Sequence, residues 1–202
     1  MLKNGIIKVV IIMKNSLLYN IVRPIVSALF KIFYRPKYIG LDNIPKSGRI
    51  ILAGNHKNNL DCIYLMSSTR RPIHFLAKIE LFRGIKKIIF NNMGLIPVDR
   101  KNKNHSSLVL AEKYLENEKI IGIFPEGTFN RSEDTILPFK IGAVKMAYDT
   151  NTNIVPFTIK GEYKMFSKGL TIEFLNPISI KNSELEFENT NLENIIRKEL
   201  EE

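Results

Sequence analysis

The stretch "RIILAGNHKNNLDCIYLM", Arg49 to Met66, joins two apolar runs through a short polar connection. The first run ends on Ala53 and Gly54, and its Ile50–Ile51–Leu52 core reads as a fully buried strand. The second, about Leu60–Ser68, reads as a helix. Strand, loop and helix in this order form the unit of a parallel α/β sheet. The loop falls at the C-terminal end of its strand, the edge where open α/β sheets bind ligands. It carries a His, an Asp and three Asn, more polar chemistry than a chain reversal needs.

The same alternation continues outward. Strands are predicted at Arg49–Gly54, Ile73–Lys78, Leu95–Val98, Ile120–Pro125, Ile154–Ile159 and Thr171–Leu175. Helices are predicted at about Leu60–Ser68, Leu81–Asn91, His105–Glu118, Lys140–Asp149 and Leu192–Glu201. The fold class expected is α/β, a mostly parallel sheet flanked by helices, preceded by an N-terminal amphipathic membrane-binding segment. Residues 1–38 form that segment and residues 39–202 the α/β domain. Repeats, low-complexity tracts and an inter-domain linker are absent from the sequence.

"LLYNIVRPIVSALFKIFY", Leu17–Tyr34, places Asn20, Arg23/Pro24, Ser27, Lys31 and Tyr34 at spacings of three and four. These make one polar stripe on an otherwise apolar helix. Pro24 is expected to kink or split it. No uncharged run is long enough to span a bilayer. Lys8 interrupts the early apolar stretch, and no small-x-small site follows, so a cleavable signal is poorly supported. A helix lying in the membrane interface fits the pattern; packing on the domain's own core is the alternative. Met13 is a second candidate start.

The net charge is +10 over 202 residues, with one cysteine. A single cysteine excludes an intrachain disulfide framework and suits a reducing compartment. Met1–Leu41 holds seven basic residues and no acidic one, and Arg70–Lys103 holds nine basic residues against Glu80 and Asp99. From Lys181 onward the balance reverses, with three basic and seven acidic residues. The basic front and middle point to an anionic partner, a membrane surface, phosphorylated substrate or nucleic acid, or else to a solvated basic surface.

His56 and Asp61 are five apart and do not share a face of one regular helix. With His56 in the loop and Asp61 in the first helical turn, the chain can fold back and pair them. Asp61 would then hold one imidazole nitrogen, leaving the other to accept a proton. A helix-capping Asp beside an incidental loop His is the other reading. Cys62 reads as a small buried helix residue, and no GxSxG elbow is present. Two more strand ends carry polar residues. "MGLIPVDR" ends on Asp99 and Arg100, and a guanidinium suits phosphate. "IFPEGTFNRS" presents Glu126, Gly127 and Thr128, where a glycine lets backbone approach a ligand.

"NHKNNLD" resembles the NHx4D motif of the glycerolipid acyltransferases, the family that contains the bacterial 1-acyl-glycerol-3-phosphate acyltransferases. "GLIPVDR", "FPEGT" and "IVPFTI" resemble its second, third and fourth motifs, in order, over roughly Ile39–Phe174. The resemblance implies direct acyl transfer. His56, oriented by Asp61, would deprotonate the free hydroxyl of lysophosphatidic acid, and that oxygen would attack the thioester of acyl-CoA or acyl carrier protein, giving phosphatidic acid. It places Asn55, Arg100, Glu126, Gly127 and Thr128 at the substrate, with Val155 and Pro156 shaping the site. It implies no metal or redox cofactor. A nucleic-acid partner would account for the charge but not for the strand-end motifs or the apolar N-terminal helix, and the location expected is the cytoplasmic face of the membrane. Family members often carry Arg after the motif's Thr; Phe129 stands here. Arg131 and Lys140 are the nearby cations expected to share phosphate binding, with Lys145 beyond them. An acyltransferase for another lysophospholipid and a non-catalytic membrane-binding module are the rival readings.

Overall fold

The computed structural model describes residues 17–99 and 106–202. Arg100, the first sixteen residues with Met13, and the expected helix start at His105 lie outside the described residues. Among the described residues seven strands form one sheet: β1 (Lys37–Ile39), β2 (Ile50–Gly54), β3 (Ile73–Lys78), β4 (Ile96–Val98), β5 (Ile120–Ile123), β6 (Ile154–Lys160) and β7 (Thr171–Phe174). Their spatial order is β1-β7-β6-β2-β5-β3-β4. The five strands from β6 to β4 in that order run parallel, and β7 is antiparallel to β6. Among the described residues six α-helices accompany them: α1 (Leu17–Tyr34), α2 (Asp61–Ser68), α3 (Gly84–Asn92), α4 (Ser106–Glu116), α5 (Gly142–Asp149) and α6 (Leu185–Glu201).

Burial on both faces explains the composition of β2. Ile51 and Ala53 join a core with Ile121, Ile123, Leu115, Val144 and Leu192. Ile50 and Leu52 join a second core with Tyr64, Ile73, Ile120, Val155 and Phe157. Period-two alternation thus divides one apolar run between two layers. Gly54 closes the strand because Phe157 on β6 lies against it. A Cβ there would stand 2.4 Å from the Phe157 ring.

Two elements exceed what the sequence predicts. β1 is a three-residue strand paired with β7, and it straddles the boundary drawn at residue 38. α6 begins at Leu185, two turns before Leu192, because Asn189 lies on the same buried face as Leu192 and Ile196.

α1 remains one helix through Pro24. Proline frees the carbonyl four residues earlier, at Asn20. Both residues sit on the exposed side, where that carbonyl needs no protein partner. The helix's rotation about its axis differs from a simple polar-out arrangement. Tyr19, Ser27 and Phe30 are buried, and Arg23 donates to the Met66 carbonyl at 3.4 Å. Tyr19 Oη accepts the Ile73 N–H at 3.2 Å. Part of the polar stripe therefore faces the domain, while Ile21, Ile25, Leu29 and Ile32 point outward, each about half exposed. Beside α1 packs α3, which buries no residue and exposes Ile85, Ile88 and Ile89 among Arg83, Lys86 and Lys87. Among the described residues no helix is long and apolar enough to cross a membrane.

Gly54→Ala should lower the unfolding free energy by ~1–3 kcal/mol, the range for overfilling a packed core. Urea denaturation of the variant checks this, and an unchanged midpoint would mean the β2–β6 contact gives way freely.

Candidate active site

The polar loop leaves β2 at Gly54 and enters α2 at Asp61. Asp61 has no exposed surface. Its Oδ2 accepts the Lys57 N–H at 2.7 Å and the Asn58 N–H at 2.8 Å. These two bonds fold the loop back onto the first turn of the helix. His56 Nδ1 then lies 2.8 Å from the same oxygen. An ionised carboxylate only accepts, so Nδ1 carries the proton and Nε2 presents its lone pair. Among the described residues Nε2 has no hydrogen-bond partner, and the His56 side chain is 14% exposed.

The imidazole is fixed from several directions. Phe124 stacks on it at 3.9 Å between centroids, tilted only 10°, and Phe129 covers it at 4.3 Å. The backbone of His56 is gripped by the loop that follows β5. Its N–H donates to Glu126 Oε1 at 2.7 Å, and its carbonyl accepts the Asn130 N–H at 2.9 Å. Glu126 is brought there because β5 pairs directly with β2. Its second oxygen accepts the Leu137 N–H at 2.9 Å. Burial raises the Glu126 carboxyl above its usual range, and the two backbone donors oppose that.

The residues expected at the site thus divide. His56 and Asp61 meet. Glu126 and Asn55, expected at the substrate, are both buried, and their polar atoms bond to backbone. Asn55 Oδ1 accepts the Ile159 N–H at 2.7 Å and its Nδ2 donates to the Ile159 carbonyl at 3.1 Å. That pair extends the β2–β6 ladder by a side chain. Val155 and Pro156 are buried within β6, behind the loops. Gly127 adopts φ +69, and the Lys140 side chain lies across it. Thr128, Arg131 and Lys140 are exposed. Among the described residues Lys140 and Arg131 form no ion pair. Arg100 cannot be placed beside them, being outside the described residues. Cys62 is half-buried on α2, and burial together with the Asp61 charge pushes its thiol up to about 12. That disfavours the thiolate a nucleophile needs.

Tyr163, beyond the end of β6, is absent from the sequence-based set. Its hydroxyl donates to Asp61 Oδ1. Burial, then the Asp61 charge, pushes the phenol upward, so it stays protonated and remains a donor. The one hint in the sequence is its position in a loop at the same strand-end edge.

A family model described as Acyltransferase matches residues 35–160. The chain belongs to the acyltransferase family. A relative from Borreliella burgdorferi, named 1-acyl-sn-glycerol-3-phosphate acyltransferase, is 35% identical over 171 residues, covering 80% of this chain and 68% of that protein. A Bacillus subtilis protein of the same name is 34% identical over 143 residues, 66% of this chain and 68% of its own length. The crystal structure of the 1-acyl-sn-glycerophosphate acyltransferase PlsC from Thermotoga maritima superposes with a TM-score of 0.69, over 98% of this chain and 95% of that one. At 19% identity it establishes the shared fold.

Because both Glu126 oxygens accept backbone N–H groups, an amide cannot replace the carboxylate. Glu126→Gln turns an NH2 toward one of those donors and should cost ~1–3 kcal/mol of stability. A urea midpoint equal to the wild type would show that the brace is dispensable.

Proposed function

We propose that this acyltransferase is a 1-acyl-sn-glycerol-3-phosphate acyltransferase that acts at a lipid surface. The observation that carries the chemistry is the His56–Asp61 pair at the C-terminal edge of the sheet, with Nε2 left without a hydrogen-bond partner among the described residues. Nε2 takes the proton of the acceptor's free hydroxyl as that oxygen attacks the thioester carbonyl. The imidazolium that forms is stabilised by Asp61. Collapse of the tetrahedral intermediate breaks the C–S bond, and the imidazolium returns its proton to the departing thiolate. The products are phosphatidic acid and the free thiol of coenzyme A or acyl carrier protein. No cofactor enters this scheme.

Direct transfer is favoured because the nearest thiol, Cys62, is held protonated. Lys140, Arg131 and Thr128, on the exposed loop after β5, are the described groups suited to the acceptor's phosphate, with Arg100 added from the sequence. One observation keeps a second acceptor in view. Phe129 presents a ring, not a cation, against the imidazole, so a lysophospholipid with a different head group is the competing substrate. Turnover should therefore be measured with lysophosphatidic acid beside lysophosphatidylglycerol and lysophosphatidylethanolamine, each with acyl-CoA and with acyl carrier protein. Preference for a phosphodiester acceptor would replace this reading.

The amphiphilic acceptor lives in a membrane, and α1 and α3 supply a surface for one. Their outward isoleucines and Leu29 are flanked by Lys31, Arg83, Lys86 and Lys87. Apolar side chains would enter the interface while the cations meet anionic lipid. The protein would bind peripherally, on the cytoplasmic face.

His56→Ala should nearly abolish transfer with the fold intact, and Asp61→Asn should be severe, because the amide can favour the wrong imidazole tautomer. Cys62→Ala should keep most activity, and initial rates should be sequential. An acyl adduct on Cys62 with ping-pong kinetics would overturn direct transfer.

For the membrane surface, Ile25→Asp with Leu29→Asp, or Ile85→Asp with Ile88→Asp, should each reduce sedimentation with anionic vesicles. High salt should weaken the wild type only in part, since screening leaves apolar burial untouched. Undiminished sedimentation of both variants would remove these helices from the contact.

A further inference from the structure

Asp61 Oδ2 is served by three donors, but among the described residues Oδ1 has one, the Tyr163 hydroxyl. The carboxylate has no exposed surface, so water does not replace that donor. Tyr163 is itself placed by α1. Its ring meets Phe30 at 6.3 Å and Tyr34 at 5.9 Å, both edge-on. Three residues later the same loop returns to the helix. Phe166 N–H donates to the Phe33 carbonyl, and the two phenylalanine rings lie 5.7 Å apart. Lys57 Nζ, from the catalytic loop, donates to Gly161 O at 3.1 Å. The β6–β7 loop is thus fastened to α1 on one side and to the His56–Asp61 loop on the other. Tyr163 lies three residues past the family-matched segment.

We propose that Tyr163 is a positioning residue: its hydroxyl holds Asp61 in the orientation that aligns His56, and its ring ties that orientation to the seating of α1. The catalytic part rests on the acyltransferase reading above. The same helix that presents the outward apolar stripe therefore contacts, through one tyrosine, the group that orients the base. The titratable groups around His56 are Asp61 on α2 and Glu126 after β5, with Tyr64 and Cys62 of α2 facing Tyr163. Removing the phenol leaves the negative charge of Asp61 undivided. Oδ1 is then left without its donor, and the carboxylate, free to turn, orients the ring less well.

Tyr163→Phe keeps the ring and removes the hydroxyl. In the full-length protein with lysophosphatidic acid and an acyl thioester in mixed micelles, kcat should fall about ten- to hundredfold, with both KM values little changed. In 15N-labelled protein, the His56 Nδ1–H resonance should be sharp in the wild type and should shift and broaden in the variant as the His56–Asp61 bond loses its fixed geometry. Wild-type ring signals in Tyr163→Phe would overturn the proposal, whatever the rate, because the hydroxyl would then orient nothing. Tyr34→Ala should lower kcat in the wild type but add little in Tyr163→Phe; equal losses in both backgrounds would overturn the tie to α1. A wild type inactive on lysophosphatidic acid would instead refute the acceptor assignment, and the ring signals would still decide on Tyr163.

Discussion

A carboxylate taken wholly out of water must be compensated by donors, or burial costs several kcal/mol. Asp61 is in that position, and most of the site follows from how it is compensated. Two of its donors are backbone amides of its own loop, so meeting the charge also sets the loop's path. The third is the imidazole it orients, and the fourth arrives from a loop about a hundred residues later in the chain. Local folding, orientation of the proposed base and a long-range closure thus share one charged group. The five-residue separation of His56 and Asp61 has the same origin. The turn that lets both amides reach Oδ2 consumes the intervening residues.

Strand order supplies the remaining constraints. β5 sits between β2 and β3, although it follows both in sequence. The loop after β2 therefore lies against the loop after β5 on one side and against β6 on the other. From the first come Glu126, Asn130, Phe124 and Phe129; from the second comes Ile159, paired to Asn55. The His56 backbone is held at both its donor and its acceptor, and its ring packs against Phe124 and Phe129. One ring nitrogen is left without a hydrogen-bond partner among the described residues. Preorganisation of this kind lets a base act without rearrangement during reaction.

How much of this the sequence carries depends on the range of the interaction. Ile50–Leu52, Ile120–Ile121 and Ile154–Val155 announce buried parallel strands, and the polar residues after them mark the functional edge. Those signals are local. β1 escapes because three residues between Pro36 and Gly40 hold no readable alternation. The start of α6 escapes because Asn189, polar by composition, occupies a core-facing position and donates to the Phe139 carbonyl. Within the site, the motif locates Glu126 and Asn55 but not what they do. Their roles appear only when β5 and β6 are placed on either side of β2. Tyr163 belongs to no motif; its partner is fixed entirely by tertiary structure.

α1 shows the same limit in a different form. Its polar stripe suggests a polar face turned to water, yet Arg23, Ser27 and Tyr34 lie toward the domain. The proposed membrane contact would give the helix a second apolar environment beside the domain's core. Phe30 and Tyr19 fill the domain's core, while Ile21, Ile25, Leu29 and Ile32 are left outside it. A helix packed only on its own domain needs one apolar stripe, and a helix lying only on a membrane also needs one. A helix that does both needs two, and its polar residues are squeezed into the seams between them. The breadth of the apolar surface and the inward lean of Arg23 are then one fact. The seam also carries Tyr34 to Tyr163, so residues poorly suited to either apolar environment reach toward the His56–Asp61 loop.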